Sequence, residues 1–156
     1  MNNKITVLFL FLWIWASCSS PTNEHFDNVQ AMVKYAEDNA KAISVGDLKT
    51  MLDNKSSKFV LVDCREEAEF ENGHITGAIN VPRGMLEFSK KIKGVKQPLY
   101  LYSDSLNRAV LGVLALKRIG FKDVYVVKGG LQEWEKSFPD VLEKSAGEEA
   151  EEDDCG

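Results

Sequence analysis

The chain has 156 residues, 44% of them hydrophobic and 28% charged, enough for one globular domain with additional segments. Its net charge of −5 is concentrated near the end: Glu148, Glu149, Glu151, Glu152, Asp153 and Asp154 supply six negative charges, and residues 1–147 without them carry +1. Nothing in that balance predicts a nucleic-acid partner, which normally needs a basic face to neutralise phosphates, and none is expected.

The first segment reads as an address. Lys4 precedes a continuous apolar run, Ile5 to Trp15, and the small residues of "ASCSS" follow it. That run is signal-peptide length and falls short of the roughly 20 apolar residues a spanning helix needs. "WASC" resembles the bacterial lipobox, with Ala16 and Ser17 in pattern and Trp15 out of it, which makes Cys18 the lipidation site of an envelope lipoprotein, periplasm-facing or in the outer membrane. Cleavage near Ala16 to Ser20 and soluble export is the competing reading. Residues 1–20 are thus assigned to a signal peptide and 21–41 to a tether or lead-in helix, in which Phe26, Val29, Met32, Val33 and Ala36 share one helical face.

From residue 42 strands and helices alternate. "AI" is a short strand, and Ser44 caps a helix carrying Leu48, Met51 and Leu52. "KFVLVDCRE" gives a buried strand and "EEAEFENG" a short acidic helix closed by Gly73. "AINVP" is a strand stopped by Pro82, "MLEFSKKIKG" a helix, and "PLYLY" the next strand. "NRAVLGVLALKRIG" is the longest helix, "DVYVV" the last strand and "GLQEWEKSF" the closing helix. Strands that are apolar throughout, instead of at every second residue, predict a parallel sheet covered on both faces, an α/β domain over 42–139. Residues 140–156 read as an acidic disordered tail.

In such sheets ligands bind beyond the carboxyl ends of strands, where loops meet helix N-termini. "YSDSLNRA" is such a junction. Its backbone N–H groups and the helix dipole favour an anion, and Arg108 adds a charge or braces the loop.

Four blocks of residues carry a family resemblance. "LVDCREEAEFENGHITGAINVP", "LYLYSDSLNRA", "LKRIGFKDVYVVKGG" and "GGLQEW" are similar, in order and spacing, to the rhodanese-like domains, which are sulfurtransferases and their inactive relatives. The resemblance implies a five-stranded parallel sheet flanked by helices, and a loop whose first residue is a cysteine that carries sulfane sulfur as a persulfide. The anion-binding loop would comprise Ser103, Asp104, Ser105, Leu106, Asn107 and Arg108, with Ser103 at the nucleophile position. The family's sulfurtransferases have four residues between nucleophile and arginine, and its related phosphatases one more; Ser103-x4-Arg108 has the shorter form.

A serine changes the chemistry. Persulfide formation needs a polarisable sulfur that ionises near neutral pH, and a hydroxyl supplies neither. A serine nucleophile would need an adjacent base. The domain's one histidine, His74, sits in "GHITGA" and reads as a structural residue bonded to the backbone, and the loop lacks the Gly-x-Ser-x-Gly elbow of a hydrolase. Leu106, where the family often has glycine, and Ala109, where a hydroxyl residue commonly follows the arginine, are further departures. Together the three favour natural loss of sulfur transfer. If the loop demanded positive φ at Leu106, that would cost about 1 kcal/mol.

Asp63 and Arg65 read as a strand-end ion pair supporting the loop, Gly129 and Gly130 as a tight turn, Trp134 as a core anchor, and Cys64 as a small buried thiol. Arg83 and Lys128 are cations that would attract an anion if they flank the cleft. No metal-ligand spacing is present and no cofactor is expected. The expectation is an envelope-anchored, rhodanese-like binding module, without sulfur transfer, for a small anion or a protein partner. The alternative is an active thiosulfate-type sulfurtransferase with cysteine at 103 in its usual chain, or one that uses Cys64 or Cys155.

Overall fold

The computed structural model describes residues 25–54, 58–139 and 142–144. The apolar leader, Cys18, and the acidic run with Cys155 lie outside the described residues. Helix α1 (Val29–Asn39) begins at Asn28, whose side chain accepts from Ala31 N at 2.8 Å. Strand β1 (Lys41–Ile43) leads into α2 (Val45–Asp53), which Ser44 caps reciprocally with Asp47. Then come β2 (Val60–Asp63), α3 (Glu67–Glu71), β3 (His74–Ile75) and β4 (Ile79–Asn80). A 3-10 segment (Arg83–Phe88) precedes β5 (Leu99–Tyr102), α4 (Leu106–Arg118), β6 (Val124–Val127), α5 (Gly130–Ser137) and β7 (Leu142–Glu143).

Five strands form one sheet in the order β1-β6-β5-β2-β4, every neighbouring pair parallel. The fold is therefore the expected α/β architecture. Central β5 is buried along its whole length, which is why "LYLY" shows no alternation. On one face α1, α4 and the 3-10 segment cover a core that includes Val62, Leu101, Val110 and Leu116; on the other, α2 and α5 cover Leu48, Tyr100, Tyr102 and Trp134. Gly112 lets α4 approach closely, since a Cβ there would lie 2.8 Å from Leu86 Cδ1 and 2.9 Å from Leu101 Cδ2.

Two stretches differ from the sequence reading. "MLEFSKKIKG" is no α-helix: the 3-10 segment ends at Phe88, and beyond it Lys90 and Lys93, three residues apart, would repel each other on a helical surface. Leu142 and Glu143, assigned to the tail, instead pair antiparallel with Ile75 and His74, satisfying a strand edge that would otherwise be bare. The acidic-tail reading then concerns only 145–156, outside the described residues. Helix α1 is packed on the body, with Ala36 only 2% exposed in the α4-side core.

Candidate functional site

Ser103 directly follows β5 and is fully buried. Its Oγ donates to the Ser105 carbonyl. Its own carbonyl accepts from Leu131 N at 2.9 Å, which ties the loop to the first turn of α5. Gly130 makes that approach possible: at φ 56°, a Cβ would lie 2.2 Å from Ser103 O and 2.9 Å from Asp104 O. The Gly129-Gly130 pair therefore serves as a clamp on the loop as well as a turn, both residues having positive φ.

Ser105 is the N-cap of α4, extended in backbone, with no side-chain bond to the helix. Leu106 is already helical, and no described residue other than glycine has positive φ, so the left-handed cost considered for Leu106 does not arise. The first-turn amides of α4 have no acceptor within their own helix, as at any helix start. Asn107 borders the groove between α4 and Val29 and Val33 of α1.

The charges of the site are interlocked. Arg108 grips Glu69 of α3 with both terminal nitrogens, at 2.7 and 2.8 Å, and its Nη2 also reaches Asp104 Oδ2 at 2.6 Å. Arg65 is only 4% exposed; its Nη2 meets Asp63 Oδ2 at 2.6 Å and the Gly73 carbonyl at 2.7 Å, and its Nη1 meets Asp104 Oδ1 at 3.4 Å. Asn80 Nδ2 closes the back of this turn on the Arg65 carbonyl at 2.8 Å. The Asp63–Arg65 pair thus joins the end of β2 to the Gly73 carbonyl after α3 and to Asp104 of the Ser103 loop.

Ionisation follows from these contacts. The bonds from Arg108 hold the Glu69 carboxyl down at about 2. Burial, and then the neighbouring Glu69, push Asp104 upward. Glu69, followed by Asp104, holds Arg108 firmly charged. Two guanidinium groups, Arg65 and Arg108, therefore face three carboxylates, Asp63, Asp104 and Glu69, and the side chains around the loop carry a net negative charge.

Among the described residues no histidine or carboxylate bonds Ser103 Oγ. His74 Nδ1 lies 2.9 Å from the Phe70 carbonyl, and its ring stacks on Phe70 at 3.6 Å. Cys64 is fully buried, and burial, followed by the Asp63 charge, pushes its thiol up, so it offers no accessible thiolate. Arg83 pairs with Glu87 at 3.1 Å and borders the groove beneath α1 rather than the Ser103 loop, while Lys128 is exposed just after β6. Sequence reasoning did not find Glu69 or the Gly130 contact. Glu69 was visible as part of an acidic helix, but nothing local ties it to an arginine 39 residues away.

An all-parallel α/β sheet with its loop at the carboxyl end of the central strand defines a domain class, and comparison with known proteins gives its family. Residues 44–137 match the rhodanese-like domain profile, and the chain belongs to that family. The uncharacterized protein YqhL of Bacillus subtilis is 38% identical over 77 residues, which are 49% of this chain and 61% of YqhL. The tRNA uridine(34) hydroxylase of Buchnera aphidicola is 35% identical over 97 residues, covering 57% of this chain and 30% of that protein. The chain therefore spans less than two thirds of the length of these relatives. The solution structure of a rhodanese-like domain from Anabaena is similar at a TM-score of 0.59 and 25% identity, covering 66% of this chain and 78% of that one.

Proposed function

We propose that this member of the rhodanese-like family is a binding module which has kept the sulfurtransferase fold and does not transfer sulfur. The observation that carries this reading is Ser103: fully buried at the loop's first position, it commits its proton to the Ser105 carbonyl, and among the described residues no histidine or carboxylate bonds its Oγ. The loop has the sulfurtransferase length, and Ser103 stands where the family's persulfide cysteine would stand. Of the two ligand classes expected, the charge balance favours a protein partner. A small anion at the loop would compete with Glu69 and Asp104 for Arg108 and would rely on the α4 amides. The apolar leader and Cys18 support an envelope lipoprotein held by lipid at Cys18, with soluble export as the alternative; the mass of the mature amino-terminal peptide decides between them.

Thiosulfate-to-cyanide sulfur transfer tests the main reading. The expected result is no turnover by the chain, or by a variant lacking Cys64 and Cys155, and turnover restored by Ser103→Cys if the cradle accepts a persulfide. Turnover by the unaltered chain that disappears in the double-cysteine variant would overturn it and establish the sulfurtransferase alternative.

A further inference from the structure

The end of the domain opposite the Ser103 loop, where β5 and β6 begin, carries an exposed apolar and basic face. Phe88 is 78% exposed and Ile119 52% exposed. The two border one groove together with Phe121 and Lys93, and Ile119 and Phe121 border the adjoining groove with Lys96 and Lys122. Lys90, Lys93, Lys96, Arg118 and Lys122 are all exposed there. Among the described residues, the acids lining these two grooves are Asp123 and Glu87, and Glu87 is paired with Arg83. Bulky apolar side chains ringed by lysines are what an anionic lipid headgroup layer accepts, the apolar parts entering the acyl boundary and the ammonium groups meeting phosphates.

The start of the described chain lies on the same side. Phe26 stacks on Tyr35 at 5.3 Å, with the Arg118 guanidinium 5.9 Å from its ring centre, and Met32 of α1 borders a groove with Ile119. From Cys18 to His25 the chain can reach at most about 25 Å. A bilayer holding the leader is within reach of this face.

We propose that the face of Phe88, Ile119, Lys90, Lys93, Lys96 and Lys122 docks on an anionic phospholipid surface and turns the Ser103 loop away from the membrane toward its partner. This deepens the membrane-tether reading and rests on it for the nearness of the bilayer; the lysines and apolar side chains would meet an anionic surface without the tether. The test is hydrogen exchange of the full chain with vesicles of phosphatidylcholine alone and of phosphatidylcholine with phosphatidylglycerol, each also scored for co-sedimentation.

The expected result is exchange slowed several-fold in 84–96 and 117–122 with phosphatidylglycerol only. That protection should be lost in a Lys90→Glu, Lys93→Glu, Lys96→Glu, Lys122→Glu variant whose thermal unfolding is unchanged. Equal exchange on both vesicles, or protection on the α2 and α5 side, would overturn the docking. Protection without vesicles that vanishes on deleting 145–156 would also overturn it, giving the face to the acidic tail. Failure to co-sediment with neutral vesicles would remove the tether reading alone, and lysine-dependent binding to phosphatidylglycerol vesicles would still support the docked face.

Discussion

Arg108 shows how one residue changes the meaning of a loop. From the sequence it is a cation in the first turn of a helix, available to an anion or to the loop itself. In the structure it is held on both sides, by Glu69 and by Asp104. This has a pH signature. Glu69 ionises in the folded state at about 2 against an ordinary 4.5, because Arg108 bonds its charged form. A depressed acid contributes stability that is fully present above 4.5 and is lost as pH falls from 4.5 toward about 2. Both side chains are about a third exposed, so solvent screening limits the contribution to about 0.2–1 kcal/mol. Asp104 acts in the opposite sense, since its folded value is raised and its ionisation with rising pH works against the fold. Glu69→Gln is expected to lower the urea midpoint modestly at neutral pH and to flatten its acid limb between 4.5 and 2, as urea titrations at a series of pH values would show.

At the scale of elements, what was legible in the sequence is what the chain settles locally. The β2 and β5 strands are apolar on both sides because both faces of the sheet are covered, and Ser44 and Asp47 announce the start of α2 within four residues. The 3-10 segment and β7 were not legible, because each depends on a distant partner: Arg83 N bonds the Cys64 carbonyl at 3.0 Å, and β7 depends on the edge of β3. The site divides in the same way. The strand-end brace of Asp63 and Arg65 lies within three residues and could be read directly, whereas the hold of α5 on the loop joins Ser103 to Leu131 across the sheet. That hold gives a sharp prediction. Gly130→Ala would drive a methyl group into the Ser103 and Asp104 carbonyls at a positive φ, displacing the loop and costing about 2–4 kcal/mol. Chemical denaturation measures the loss, and amide shifts at 103–105 should move with it. Unchanged stability and unmoved shifts would show that α5 does not set the loop.

For the whole molecule the question is where the folded body begins. The family match starts at residue 44, and a chain divided at that point would leave α1 as a leash. The packing argues otherwise. Ala36 is buried in the α4-side core, Val33 and Ala40 pack against the same cluster, and Lys117 Nζ bonds the Asn39 carbonyl at 2.9 Å, pinning the end of α1 to the last turn of α4. Removing 25–40 would bare the outer face of α4 while leaving β1 on the sheet edge. At roughly 25 cal/mol per Å² of apolar surface, uncovering these few side chains and the α4 surface beneath them should cost about 2–3 kcal/mol. Urea unfolding of the shortened chain is expected to show a lower midpoint and a smaller slope, since less surface is buried to begin with. The same truncation would leave the contacts of Ser103, Asp104 and Arg108 intact, because none of their hydrogen bonds runs to α1. A lost midpoint with an unmoved loop would establish α1 as part of the body, placed between the leader and the sheet; an unchanged midpoint would return it to the role of a leash.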